Sequence, residues 1–415
     1  MISVNKLENG LVLILEEIPE SESITFDLFL AGGTIYDPEN LLGASLILPE
    51  LTSRGAGNRN SIQLSEAFDD LGIRHGEGAG SDHVSYHANF LPEHLKPALD
   101  LVFDMVLSPS LPETEIGNIV EVLKQDLEGL KDDPARQVFV KLSERYFPKP
   151  FSRNNYGTIE GLENVTRDDL LSLWKNWYRP AACVISIAGK VDSKSVATIL
   201  DDLRANNLFS SWHGAGPEKP KFTKCSQPSY HHEASDSAQT QIALAFPSVP
   251  FGDPSYYAVR VLMGVLSGGM FGRLFIEVRE KKGLCYSVYS KYSANSDTGN
   301  IFLYAGTTPE RAQETFDVSC AVLDGLYNSI TEEELTRVKA NILSGLIIGE
   351  ESVASRAGSN ALDWWLGKRI RSLTEIKDEI NKVSIADINK YLEKYPLKNP
   401  MCVTLGNKEL RVNYA

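Results

Sequence analysis

The chain repeats itself. Five landmarks recur at a nearly constant offset, and a chain duplicated in this way is expected to fold as two copies of one domain. The strand-like run SITFDLFLAG leads to Asp37-Pro38, and TQIALAFPSV leads to Asp253-Pro254, 216 residues on. HVSYHANFL runs into Pro92-Glu93 and an apolar helical stretch, while NIFLYAGTT runs into Pro309-Glu310 and another, at an offset of 217. Ile116 and Leu335 differ by 219, Val165 and Val383 by 218, and Cys183 and Cys402 by 219.

Each copy reads strand, helix, strand, helix, further helices, strand, with helices opened by proline or by caps such as Thr166 and Thr331. The expected class is α/β (α+β), each domain a mixed β-sheet covered by helices on one side. Residues 1–208 and 237–415 form the two domains, and the Pro, Gly and Ser-rich stretch 209–236 is the natural linker. Two domains on a long linker can face each other as one half of a clamshell and enclose a cleft, where binding sites are common.

Composition narrows the function. A 42% hydrophobic and 23% charged chain has none of the marks of disorder. Forty-one basic against 55 acidic side chains give a net charge of −14, which argues against a nucleic-acid surface. No apolar run approaches the roughly 18 residues of a membrane helix, and MISVNKLENG lacks the apolar core of a secretory signal. A cytoplasmic protein with no membrane span is expected. The five cysteines are scattered, with no CxxC pair, and are expected to be small buried residues in a reducing compartment.

The order of landmarks resembles the pitrilysin/insulinase-type zinc peptidases, a family that includes the mitochondrial processing peptidase and the core subunits of the bc1 complex. LENGLVLILEE, FLAGGTIYDPENLLGASLILPELTSRGAG, WYRPAACVISIAGKVD and above all GGMFGRLFIEVREKKGLCYSVYS carry the resemblance, which covers nearly the whole chain. In that family an inverted motif, His-x-x-Glu-His, binds zinc on the first long helix, and a more distal glutamate completes the site. Aligning Gly43 and Gly55 with the glycines flanking that motif puts Leu46 and Glu50 at the histidine positions and Pro49 at the base position; the distal position falls on Asp126. A leucine cannot coordinate a metal, a proline cannot take a proton, and two carboxylates alone make a poor zinc site.

Other histidines do not repair the loss. His83 and His87 have ligand spacing for a helix, but HVSYHANFL alternates like a strand, which holds them too far apart for one ion. His231 and His232 lie in the linker, where a loop role is expected, and His75 and His94 have no carboxylate or histidine partner at a useful spacing. No cofactor is expected in this chain.

The second copy retains what the first lacks. The resemblance implies that Arg279 and Tyr286 correspond to an arginine and a tyrosine that hold the substrate backbone and its carbonyl oxygen near the metal. From residue types alone, Arg279 beside Glu280 reads as a solvated ion-pair partner and Tyr286 as a half-buried strand residue. Gly268, Gly269 and Gly272 lie where the family places a substrate-contacting loop. The reading is a noncatalytic subunit that lends Arg279 and Tyr286 to a homologous partner carrying His-x-x-Glu-His and zinc, for cleavage of extended peptides. The alternative is a binding scaffold like the bc1 core subunits. Trp364 and Trp365 are expected to pack in a core.

Overall fold

A computed structural model of the chain describes residues 2–192, 194, 197, 209 and 211–413; the expected domain boundary at residue 208 lies outside the described residues. The first sheet contains β1 (Ile2–Lys6), β2 (Val12–Glu17), β3 (Ile24–Ala31), β6 (Arg74–Ala79), β7 (His83–Phe90) and β8 (Cys183–Gly189), and Gly55–Ala56 (β4) with Arg59–Asn60 (β5) forms a separate two-stranded ladder. The second sheet contains β9 (Ser229–Ala234), β10 (Thr240–Ser248), β11 (Cys285–Ala294), β12 (Gly299–Thr307) and β13 (Met401–Gly406).

The duplication is visible in the topology. The orders are β1-β2-β8-β3-β7-β6 and β9-β13-β10-β12-β11, so apart from the extra edge strand β1 the sheets match strand for strand. Each has one parallel pair, β2 with β8 and β9 with β13, among antiparallel neighbours. Even the register repeats. Val12 pairs with Val184, and His231 pairs with Val403, each partner 219 residues beyond its counterpart.

That register corrects the sequence reading at one place. His231 and His232 lie in β9 rather than in a loop, where His232 Nδ1 contacts Thr404 Oγ1 at 3.0 Å. SYHHEA has no apolar alternation because it is an edge strand whose side chains are mostly half-buried.

The helices also depart from expectation. Both sheets are covered on two faces, not one. In β10, Ile242, Leu244 and Phe246 point into the core made with helices Tyr256–Ser267, Ala312–Asp324 and Ile385–Lys394. The alternate residues Ala243 and Ala245 point the other way, into a cluster with Val138, Leu142 and Tyr146 of helix Pro134–Tyr146. This helix comes from the first copy. Conversely, helix Val353–Gly367 of the second copy packs Trp364 and Trp365 onto Val12, Ile14 and Val184 of the first sheet. The two helices start 219 residues apart, so the copies have exchanged equivalent elements.

The physical reason is two-sided hydrophobicity. All seven residues of β8 are buried, and a central strand of this kind needs cover on both faces. Each fully buried Val or Leu in these covers contributes roughly 1.5–3 kcal/mol. The contact units are therefore discontinuous: residues 1–128, 153–221 and 349–370 form one, and 129–152, 222–348 and 371–415 the other.

No helix among the described residues is long and apolar enough to cross a membrane. The five cysteines are unpaired, with Cys183 and Cys402 buried, and burial pushes the Cys320 thiol up to about 12, as suits packing rather than reactivity.

Candidate functional site

Helix Ala44–Thr52 carries the first set of candidates. Its N-terminus is held by Asp37, whose carboxylate accepts the Gly43 N–H at 2.9 Å and the Ser45 N–H at 2.9 Å. Burial pushes Asp37 up to about 6, and these hydrogen bonds pull against the rise. Pro49 is buried inside the helix, where it offers neither an acid group nor an N–H. The Glu50 carboxylate is taken by the Arg54 guanidinium one turn later, at 2.6 Å. Asp126 is exposed on helix Glu113–Gly129.

Leu46, Pro49, Glu50 and Asp126 therefore do not fit a zinc ion. Among the described residues there is no group of three or more His, Cys, Asp or Glu side chains able to hold a metal. Positive charge at this place is supplied by Arg54, which opposes the rise that burial and Glu50 impose on the Glu77 carboxyl of β6. Dialysis against zinc followed by metal analysis is expected to leave no stoichiometric ion on the chain.

His83 and His87 lie on β7, as their alternation predicts. His83 stacks on Phe29 with centroids 4.5 Å apart and contacts Asp82 Oδ1 at 2.9 Å. His75 corrects the sequence reading. Its Nδ1 lies 3.9 Å from Glu77 Oε2, because residues two apart on a strand share a face. Its ring stacks on Phe68 at 3.8 Å, and burial lowers its pKa. His94 sits in the short turn Pro92–His94.

The second set is Arg279 and Tyr286, which two backbone irregularities bring together. Phe275–Glu280 is a π-helical turn, a rare geometry that recurs at functional sites. Tyr286 sits where the β11 register slips between Cys285 and Ser287, and a bulge of this kind turns a side chain out of the sheet. The residue is accordingly 80% exposed. The guanidinium of Arg279 lies 4.9 Å from the Tyr286 ring centroid and donates from Nη1 to the Tyr286 carbonyl oxygen at 2.6 Å.

The ion-pair role that residue types suggest for Arg279 is not what the structure contains. Among the described residues it meets no carboxylate within ion-pair distance. One of its five N–H donors is used; the others, with the exposed Tyr286 hydroxyl, form a small donor surface suited to a carbonyl oxygen or oxyanion.

Gly268, Gly269 and Gly272 shape the loop before the π-turn. A Cβ on Gly268 would stand 2.3 Å from the Gly264 carbonyl oxygen, and one on Gly272 would stand 2.7 Å from that of Leu266, so close backbone approach explains both. Gly269 has φ +91°, the left-handed region that glycine tolerates. At the tip, Met270 and Phe271 are 71% and 62% exposed. Ser267 anchors the loop by accepting the Ser290 N–H of β11 at 2.7 Å.

Sequence reasoning missed Phe275, Arg54 and Glu77. The signals were present: Phe275 precedes Arg279 by four, Arg54 follows Glu50 by four, and Glu77 alternates with His75.

Fold and site together define a duplicated α/β protein of the zinc-peptidase type, whose first half lacks the metal donors and whose second half presents an arginine and a tyrosine. The chain belongs to the insulinase-type peptidase family. The family model described as insulinase (peptidase family M16) matches residues 12–158, and that described as peptidase M16 inactive domain matches residues 164–342. An uncharacterized zinc protease of Bacillus subtilis is 28% identical over 397 residues, covering 94% of each chain. Another, from Rickettsia felis, is 26% identical over 99% of this chain and 98% of its own. A solved structure of a peptidase M16 inactive domain from Pseudomonas fluorescens superposes with a TM-score of 0.86 at 22% identity, covering 99% of this chain and 100% of that one. A protease from Helicobacter pylori has the same TM-score at 19% identity, with 98% of each covered. These two likenesses concern the fold.

Proposed function

We propose that this chain is a noncatalytic subunit of a heterodimeric metallopeptidase and lends Arg279 and Tyr286 to the site of a homologous partner. The supporting observation is the contrast between the two halves. A π-turn and a β-bulge present free donors in the second half, while the metal position of the first is occupied by leucine, proline and a glutamate–arginine pair. The partner, carrying His-x-x-Glu-His, would supply zinc and the general base. Arg279 and Tyr286 would bind an extended peptide near the scissile bond and hold its carbonyl oxygen as negative charge develops, by fixed charge and hydrogen bonding. The exposed Met270 and Phe271, set on the Gly268, Gly269 and Gly272 loop, would contact the apolar side chains of that peptide.

The test is a mixing assay with an extended fluorogenic peptide. The chain alone is expected to cleave nothing, and adding the zinc-bearing homologue is expected to restore turnover. Arg279→Ala should then lower the rate by about 10²-fold or more, and Tyr286→Phe by a smaller factor, the usual scale for removing an oxyanion donor. Full activity of both variants in the mixture would refute the reading. A stable complex without turnover would instead favour the scaffold alternative.

A further inference from the structure

Arg279 meets a second aromatic ring. Phe275, half-buried and four residues earlier on the same π-turn, places its centroid 4.9 Å from the guanidinium carbon, the same distance as Tyr286. Among the described residues the two rings make no aromatic contact with each other, so each meets the guanidinium separately.

An unrestrained arginine is a poor oxyanion donor. Ordering its rotamers on each encounter opposes binding, and water competes for its donors. Here the guanidinium carbon lies 4.9 Å from each of two ring centroids, and the bond from Nη1 to the Tyr286 carbonyl limits its rotation. Tyr286 is exposed and is itself a proposed ligand contact, so it cannot serve as the rigid wall. Phe275 can. The next residues, Ile276 and Glu277, are half-buried, and Val278 is fully buried in the core of the second unit, which anchors the turn.

We infer that Phe275 is a positioning residue, which pre-orders Arg279 through its ring face so that the remaining guanidinium donors meet the substrate without reorganisation. The inference rests on the function proposed above in giving Arg279 a substrate to meet, but the positioning can be measured without it. In the isolated chain carrying isotope-labelled arginine, the Arg279 Nε–H resonance, assigned through Arg279→Lys, should show an aromatic ring-current shift and restricted motion. Phe275→Leu, which keeps apolar bulk, should remove much of the shift and loosen the side chain, and Phe275→Tyr should keep both. Phe275→Met provides a second ring-free variant if the leucine variant fails to fold.

In the mixing assay, Phe275→Leu should lower kcat about tenfold with little change in KM, and Phe275→Tyr should restore it. An unchanged Arg279 resonance in both ring-free variants overturns the inference. A changed resonance with undiminished turnover supports the positioning and counts against a substrate role for Arg279. Equal loss of activity in Phe275→Leu and Phe275→Tyr, with resonances retained in the latter, overturns the link between positioning and rate.

Discussion

Replacing Arg356 with methionine is expected to destabilise the first unit by about 3 kcal/mol, read as a lowered urea midpoint with unchanged slope. Glu16 on β2 is 3% exposed, and its carboxylate is bonded on one oxygen by the Arg356 guanidinium. The other oxygen accepts the Asn360 side-chain amide at 2.8 Å. Arg356 and Asn360 are one turn apart on helix Val353–Gly367, so this network ties the exchanged helix to its sheet. Removing the cation leaves a buried carboxylate without its counter-charge, a change that costs about 3–5 kcal/mol. The lower figure applies because the Arg356 side chain is 28% exposed and water screens part of the pair. Arg356→Met also removes the charge that offsets the burial of Glu350. The double variant Glu16→Leu/Arg356→Met should recover most of the loss, because neither charge then remains buried. A single variant within about 0.5 kcal/mol of the parent would show that the pair is solvated and that apolar packing alone seats the helix.

Asp27→Asn is expected to stabilise the protein at pH 8 and leave it nearly unchanged at pH 4. Asp27 lies in the middle of β3, between His87 of β7 and Ser186 of β8, on the face covered by helix Val353–Gly367. Its Oδ2 lies 3.7 Å from where a Cβ on Gly358 would stand, an ordinary van der Waals distance, so this turn of the helix lies directly over the carboxyl. Burial raises it from 3.8 to about 7. Because the folded-state value is the higher one, the native chain holds a proton between these pH values that the unfolded chain has lost. Stability attributable to this group is therefore present at low pH, falls as pH rises through that window, and is absent above about 7. A shift of roughly three units corresponds to about 4 kcal/mol as an upper bound. Asparagine carries no charge to desolvate. Denaturant midpoints at pH 5 and pH 8 should thus converge in the variant relative to the parent; equal pH dependence in the two proteins would show that Asp27 is hydrated.

Much of the fold was legible because duplication writes every feature twice. Asp37-Pro38 and Asp253-Pro254 mark the same turn after β3 and β10, and Cys183 and Cys402 begin or nearly begin the central strands β8 and β13. Thr166 and Thr331 cap helices as their spacing to Asp169 and Glu334 indicates. β9 escaped notice because an edge strand that needs little apolar surface leaves little pattern. The stripe Val138, Leu142, Tyr146 announces a helix face that must be buried, yet a stripe does not carry the address of its sheet. At the candidate site, residue types alone favoured an ion pair for Arg279, and only the π-turn and the bulge reveal a guanidinium held by aromatic rings.

By itself, the sequence determined that there are two copies and that helix Ala44–Thr52 lacks the histidine donors a zinc site needs, because repeated patterning writes the element order twice and coordination follows from the atoms a side chain possesses. Tertiary structure alone decided that each copy borrows its second cover from the other, and that Phe275, Arg279 and Tyr286 converge. Those outcomes depend on which surfaces meet when the chain closes, and apolar attraction, being non-directional, does not specify a partner until the competing surfaces are already in place.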